Sequence, residues 1–420
     1  MKRKVFFKGP LLTRSGYGEQ SRFALRALAS REDLFDIYIQ PLEWGKTSWT
    51  NEVTPERIWI DKTIEKTLQY MQQNGQFDIS FQVTIPNEWE KLAPINIGYT
   101  AGIETTKTSH QWIQKGNEMN GIIVVSTHAK NTFLATDYQL VNQQNNQSMI
   151  LKLDVPIESV NYPAKKFDEL PNIDLDLEYK HNFLVAAQLG PRKNVQNTIK
   201  WFVEEFREEE VGLVVKCYAA KNCLLDREMT MQNLRQLVAT LGEKKCKVYL
   251  LHGDMTDEEM HSLQTHPDIS AFLSLAHGEG FGLPIFEAAY SGNPVIATGW
   301  SGQLDFLVDE EGKSNFYNVS FDLNKVQPAV VWDGVLIADS MWAYPREQSA
   351  KERMRECYND IINQPEGSVV TSAAAFANSV QERFSQEKQY KAMVDTVLKF
   401  SGNPEEEQWR DVLDQVVEYD

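Results

Sequence analysis

The sequence predicts an α/β fold made of two doubly wound, Rossmann-like domains that face each other across a cleft. Three observations predict it. At 420 residues the chain exceeds one ordinary core and suits two domains of about 150–200 residues each. Short apolar runs alternate with helical patterns through most of its length, the order that builds parallel sheets covered by helices. A polar, acidic, Pro-containing passage at 165–181 (KKFDELPNIDLDLEYKH) then divides this series in two, as a linker would.

In the first half, Val5-Phe6-Phe7 reads as a buried strand, followed by a Gly-containing loop through Ser15-Gly16-Tyr17-Gly18. Phe23, Ala24, Ala27 and Leu28 then recur at helical spacing. Asp36–Gln40, Asp78–Gln82, Ile95–Tyr99 and Gly121–Ser126 are further strands, the last leading into a helix near His128, and Asn142–Ser148 is a polar surface loop. In the second half the strands are Phe183–Ala187, Val211–Tyr218, Lys247–Leu251, Ile269–Leu275 and Pro294–Thr298. The helices are Val195–Phe206, Arg227–Leu241, Asp257–Gln264 and Leu283–Ser291, with Thr256 as N-cap of the third. Thr371–Leu398 reads as one long helix, with a polar tail from Ser401. The expected units are therefore 1–170, 171–375, and a helix with tail at 376–420 that can cross back to the first. Residues 309–350, with Trp332, Trp342 and Tyr344, fit no assigned element.

Hydrophobic content of 42% with 24% charged residues is a soluble, globular balance. No run of about 18 apolar residues is present, so no membrane span is expected. The start, MKRKVFFKGPLL, suits a first strand better than a signal peptide. The four cysteines, Cys217, Cys223, Cys246 and Cys357, show no metal-ligand spacing and read as reduced thiols of a cytoplasmic protein. Net charge is −17, and all of the excess lies beyond residue 170, because the first 170 residues are neutral. Within that neutral half, residues 1–31 carry Lys2, Arg3, Lys4, Lys8, Arg14, Arg22, Arg26 and Arg31 against Glu19 alone. Such a cluster is either a face for an anionic partner or a solvated helix face and strand end.

The most informative stretch is 277–302, HGEGFGLPIFEAAYSGNPVIATGWSG. A buried strand runs into a Gly-rich loop, and Leu283-Pro284 opens a helix, since proline suits a first helical turn. The peptide N–H groups of Phe281, Gly282 and Leu283 are then unpaired, and Gly280 and Gly282 let a phosphate approach them. Glu287 lies about 6 Å along that helix, at 1.5 Å per residue. A carboxylate there can accept hydrogen bonds from sugar or ribose hydroxyls. Glu279 in the loop, the amides and Glu287 thus lie in line, matching the layout of a nucleotide-sugar.

Glu279-x7-Glu287 within EGFGLP-x-x-EA, followed by G-x-PVIA, closely resembles the E-x7-E signature of the family-4, or group 1, retaining glycosyltransferases of GT-B fold. The resemblance implies that Glu279 contacts the transferred sugar and that Glu287 holds the nucleotide ribose. It also makes Arg192 and Lys193, in Gln188-Leu189-Gly190-Pro191-Arg192-Lys193, the cations that meet the growing diphosphate charge. Many members have an arginine where this chain has Gln188. The loop with Gly16 and Gly18 is similar to the one that closes over the donor phosphates. His252 and Met255 fall where the family keeps its nucleobase pocket. In place of the family's histidine after the strand Ile95–Tyr99, the chain runs Thr100-Ala101-Gly102-Ile103-Glu104, which makes Glu104 an acceptor-side candidate with Arg14 and Arg22. His110 and His128 are weaker candidates there.

These features imply a nucleotide-sugar donor as co-substrate, no cofactor and no metal. Asp174-x-Asp176 looks like a metal-binding D-x-D but falls in the linker. The acceptor is a glycan or small molecule, with a nucleic acid as the other possibility, as in viral DNA glucosyltransferases that share the architecture. A sugar-nucleotide epimerase and a non-catalytic binding module also stay open. The family's attack occurs on the face the diphosphate leaves, whereas retaining glycosidases pass through a covalent carboxylate intermediate. The residues alone choose between neither these routes nor oligomeric states.

Overall fold

The computed structural model describes residues 2–141 and 148–402. The expected loop Asn142–Ser148 lies outside them except for Ser148, and so does the tail beyond Gly402. The first half builds β1 (Arg3–Gly9), α1 (Gly16–Ala29), β2 (Phe35–Pro41), α2 (Pro55–Gln72), β3 (Ile79–Val83), β4 (Ile95–Thr100), α3 (His110–Gly116), β5 (Gly121–Val124), α4 (Thr127–Ala135), β6 (Asp137–Val141), β7 (Ser148–Lys152) and β8 (Ile157–Ser159). Five parallel pairings give the sheet order β2-β1-β3-β4-β5-β8. Its reversal of direction falls between β1 and β3.

The second half builds β9 (Asn182–Gln188), α5 (Val195–Glu205), β10 (Gly212–Tyr218), α6 (Leu224–Ala239), β11 (Lys247–Leu251), α7 (Asp257–Gln264), β12 (Ile269–Ser274), α8 (Leu283–Ser291), β13 (Val295–Thr298), α9 (Leu304–Leu307) and β14 (Tyr317–Val319). Its sheet is also parallel, in the order β11-β10-β9-β12-β13-β14. That is the Rossmann order, and its switch point lies between β9 and β12, where such sheets bind ligands beyond the strands' carboxyl ends. The loops that leave those two strands are the ones with Arg192 and Lys193 and with Glu279.

Local chemistry accounts for the boundaries. Thr256 caps α7 and completes a capping box with Glu259. Gly282 (φ +97°) starts α8 and Gly292 (φ +80°) ends it, both in the left-handed region that glycine tolerates. In the linker Ile173, Leu175 and Leu177 pack inward, so Asp174 and Asp176 point to solvent as the alternate residues of an extended chain.

The structure corrects the long helix expected over Thr371–Leu398. It is two helices, α11 (Val369–Arg383) and α12 (Gln386–Ser401), separated at Phe384, with Ser385 capping the second through the Lys388 amide. α11 packs on α8 and α12 on α1 of the opposite half. The helix before it, α10 (Glu347–Asn363), packs on α5. The unassigned stretch 309–350 supplies β14 and an antiparallel ribbon of β15 (Phe321–Lys325) and β16 (Met341–Pro345). The helices α2 and α3 and the hairpin β6–β7 were not legible as periodic patterns. No helix among the described residues is long and apolar enough to cross a membrane. All four cysteines are free, and only Cys223 is exposed.

Candidate active site

The loop after β9 turns through a 3-10 segment at Pro191–Lys193, and Asn194 adopts φ +53° before α5 begins. This places Arg192 and Lys193 side by side beneath the loop after β12. Lys193 Nζ donates to Glu279 Oε1 at 2.5 Å, and Arg192 Nη1 donates to Glu279 Oε2 at 2.8 Å and to the Gly278 carbonyl at 2.7 Å. Glu279 is 6% exposed. Burial pushes its carboxyl up, but the two cations more than offset this and hold it at about 2. Its main chain is fixed as well: the Glu279 amide donates to Ser301 Oγ, and its carbonyl accepts from Gly302. Burial lowers the Lys193 ammonium, with the Glu279 charge acting in the opposite direction.

The first half closes over this cluster. Glu104 brings Oε1 to 3.4 Å from Arg192 Nε across the cleft. A Cβ on Gly280 would meet the Ala101 carbonyl at 2.8 Å, and one on Gly278 the Glu104 carbonyl at 2.6 Å. These glycines are therefore required by the approach of the opposing loop. Gly282, Phe281 and Leu283 follow at the start of α8, and among the described residues none accepts from their amides. Tyr17 Oη accepts from the Ala101 amide and shares a hydrogen bond with Thr100 Oγ1 at 2.8 Å, tying the start of α1 to the same loop.

At the far end of α8's first two turns lies a second charged group. Glu287 has a carboxyl raised to about 7, by burial first, with Asp257 and Glu19 adding to the rise and Lys165 and Lys216 opposing it. Lys165 bridges Glu19 and Asp257, each at 2.8 Å, and so joins α1 to α7 across the cleft. Beside it a pocket is lined by Arg14 and Ser48 from one half and by Lys216, Tyr218, Gly253, Asp254, Met255 and Met260 from the other. Lys216 lies within β10, two residues before its end, and is 8% exposed, with Nζ donating to the Gly253 carbonyl at 2.6 Å.

The family model of group 1 glycosyl transferases matches residues 169–318. That span holds both loops of the cation cluster, all of α8 and the Gly253–Met255 turn. The chain carries a group 1 glycosyltransferase domain. Among curated proteins no sequence matches the chain. Similar solved structures include HepE of Anabaena, in complex with UDP and glucose, at 14% identity and TM-score 0.57, covering 94% of this chain and 100% of that one. A glycosyltransferase from Rickettsia africae is 13% identical with TM-score 0.58, covering 96% and 99%. Sucrose-phosphate synthase from Thermosynechococcus elongatus is 10% identical with TM-score 0.57, covering 95% and 99%. The shared architecture is GT-B.

The other residues singled out by sequence fall as follows. Gly16 has open space around it, whereas a Cβ on Gly18 would strike the Thr13 carbonyl at 2.1 Å, so Gly18 is fixed by packing. The Phe281 ring is buried against Tyr162, Phe286 and Phe306 and faces the core. His252 Nε2 lies 2.9 Å from Asp226 Oδ1, a carboxylate that also accepts from the amides of Ala219, Ala220 and Lys221. Gln188, which stands where an arginine was expected, gives its amide to the Ala219 carbonyl. His110 stacks edge-on to Tyr138, and His128 packs beside Trp300 with its imidazole pushed down to about 4 by burial.

The basic cluster of residues 1–31 is not a free cationic face. Lys8 pairs with Glu90, Arg14 with Glu52 and Asp254, Arg22 with Glu19, Arg26 with Glu56 and Arg31 with Asp33. Acids distant in sequence supply most of the partners, so a linear count could not see the neutralisation. Two residues of this site were missed for a similar reason. Lys216 is hidden inside an apolar strand, where one charge among Val214, Val215 and Cys217 was the available signal. Lys165 opens the linker and gains meaning only from Glu19, Asp257 and Glu287. Among the described residues no three His, Cys, Asp or Glu side chains converge as a metal site requires.

Proposed function

We propose that this glycosyltransferase moves a sugar from a nucleoside-diphosphate sugar to a hydroxyl acceptor, with retention at the anomeric carbon and with the protein's own charges in place of a metal. The observation that carries this reading is the convergence of Arg192, Lys193 and the unpaired amides of Phe281, Gly282 and Leu283 at the switch point of the second sheet. The diphosphate rests against those amides, and Arg192 and Lys193 stabilise the charge that grows on it as the sugar leaves. Glu279 accepts from hydroxyls of the transferred sugar. Glu287 accepts from the ribose, and the pocket at Gly253–Met255, with the backbone held by His252 and Lys216, takes the base. HepE was solved with UDP and glucose, so a uridine diphosphate sugar is the first donor to try.

Transfer forms the bond between the acceptor oxygen and the anomeric carbon and breaks the bond from that carbon to the phosphate oxygen. The acceptor proton passes to the leaving phosphate, which needs no protein base. The acceptor enters from the N-terminal half, beside Glu104. Because five of the eight cations of residues 1–31 (Lys8, Arg14, Arg22, Arg26 and Arg31) are paired with carboxylates, a neutral glycan or small alcohol suits this side better than a polynucleotide.

A panel of nucleotide-sugars incubated without acceptor tests the reading. Slow release of free sugar and nucleoside diphosphate from one donor, undiminished by EDTA, is the expected result. Interconversion of one sugar into another identifies an epimerase, and binding without turnover a binding module. Loss of turnover in EDTA with recovery on Mn²⁺ overturns the metal-free mechanism.

A further inference from the structure

We propose that β16 is a strut that sets the spacing of the two carboxylate loops across the cleft, and that His277 is the positioning residue on which it bears. β16 pairs with β15 along one edge. On an antiparallel strand the main-chain groups of alternate residues face opposite edges, so its other edge presents those of Met341 and Ala343. Each is taken by a different half of the molecule. The Met341 carbonyl accepts from the Thr106 amide at 2.9 Å, and the Met341 amide donates to Thr106 Oγ1 at 3.1 Å. Thr106 lies two residues after Glu104.

Two positions further on, the Ala343 amide donates to the His277 carbonyl at 2.9 Å, and the Ala343 carbonyl accepts from His277 Nδ1 at 2.8 Å. His277 lies two residues before Glu279, and its own amide donates to the Arg192 carbonyl at 2.8 Å. Its ring is 4% exposed and stacks on Trp342, 5.1 Å between centroids and 17° from parallel. A carbonyl only accepts, so Nδ1 carries the proton, and His277 thereby ties its loop to β16 through its ring and carbonyl and to the Arg192 main chain through its amide.

One strand thus grips the Glu104 loop and the Glu279 loop about 7 Å apart along its length, two residues at about 3.3 Å each. The segment that leads into it is pinned to the first half. The Gly334 carbonyl accepts from Ser109 Oγ at 2.7 Å and Asn87 Nδ2 at 3.1 Å, Lys107 pairs with Asp339 at 2.9 Å, and Val335 is buried with Trp89 and Trp112. Opening the cleft at this end must break either the Met341 pair with Thr106 or the Ala343 pair with His277. The strut therefore governs the Glu104–Arg192–Glu279 geometry and leaves the Glu287 end alone. Its catalytic consequence rests on the transferase reading, but its mechanical one does not.

The test uses the full chain and three substitutions. Thr106→Val keeps the shape and removes the oxygen that accepts from Met341, Thr106→Ser keeps the oxygen, and Val335→Asp places a charge in the apolar socket of the preceding segment. Hydrogen exchange without ligand should show amides of 101–108 and 276–282 accelerated together in Thr106→Val and Val335→Asp, unchanged at 253–255, and restored in Thr106→Ser. Turnover of the donor that the panel identifies should fall about 10- to 100-fold in the first two, as for a misplaced catalytic group, while the Kd for UDP shifts less than about twofold. Exchange that rises in one loop without the other, or in neither, overturns the strut. Equal losses in turnover and UDP affinity reduce it to a folding contact. If the wild type turns over no donor, the transferase reading fails and the exchange pattern still decides the strut.

Discussion

At the scale of single residues the site holds two glutamates, Glu279 buried and Glu287 half-buried, whose protons behave oppositely. Glu279 is kept ionised by Arg192 and Lys193, whereas Glu287 is raised to about 7 by burial and by the carboxylates of Asp257 and Glu19. The proposed ribose contact needs the ionised form, because a hydroxyl donates more strongly to a carboxylate than to a neutral acid. UDP affinity should therefore rise with pH through about 7, and Glu287→Gln should remove that rise. The diphosphate titrates in both proteins, so the difference between their calorimetric profiles isolates Glu287. A gain on the order of tenfold, about 1.4 kcal/mol, is expected between pH about 6 and about 8. The linkage to stability has the opposite sign. A carboxyl raised in the folded state binds more protons there than unfolded, so its contribution to stability falls as pH climbs from the ordinary 4.5 to about 7. Parallel profiles for the two proteins would remove Glu287 from the ribose.

At the scale of elements the helix α12 joins what the linker separates. Met393, Val394 and Val397 are buried among residues that include Phe23 and Leu28 of α1, and the Tyr390 ring lies 6.1 Å from Phe23. Met393 is fully buried, so Met393→Ala should cost about 2–5 kcal/mol by denaturant unfolding. A loss under about 1 kcal/mol would mean that α12 docks only weakly. The ends of α8 were legible because Pro284 and the two flanking glycines are local signals, and so was the α7 cap at Thr256. The break between α11 and α12 was not, because neither proline nor glycine marks it and apolar residues continue at helical spacing through Phe384. Helix α2 was missed because among its residues only Ile60, Thr63 and Thr67 are buried, too narrow a stripe to declare a period. The E-x7-E loop was legible as a constellation, yet the pairing of Glu279 with Arg192 and Lys193, and of Arg192 with Glu104, depends on two loops and an opposing domain.

At the scale of the whole molecule, charge decides which acceptors can approach. The chain carries −17, all of it beyond residue 170, while the neutral first half spends its early cations on carboxylates such as Glu19, Glu52, Glu56 and Glu90. A polyanion would have to break those pairs and pass the acidic half within a Debye length of about 8–10 Å. Arg14 illustrates the cost, since it already faces Asp254 across the cleft at 3.6 Å. A duplex oligonucleotide should therefore bind weakly even at low salt. Its log–log slope should stay far below the value of several expected if Lys4, Arg14, Arg22 and Arg26 each neutralised a phosphate, at roughly 0.9 per contact. Fluorescence anisotropy from about 20 to about 200 mM salt measures this, with Arg14→Glu and Arg22→Glu as controls that should change little. Tight binding with a steep slope that these reversals abolish would show that the ion pairs open for a nucleic acid, and would move the acceptor from a neutral hydroxyl compound to a polynucleotide.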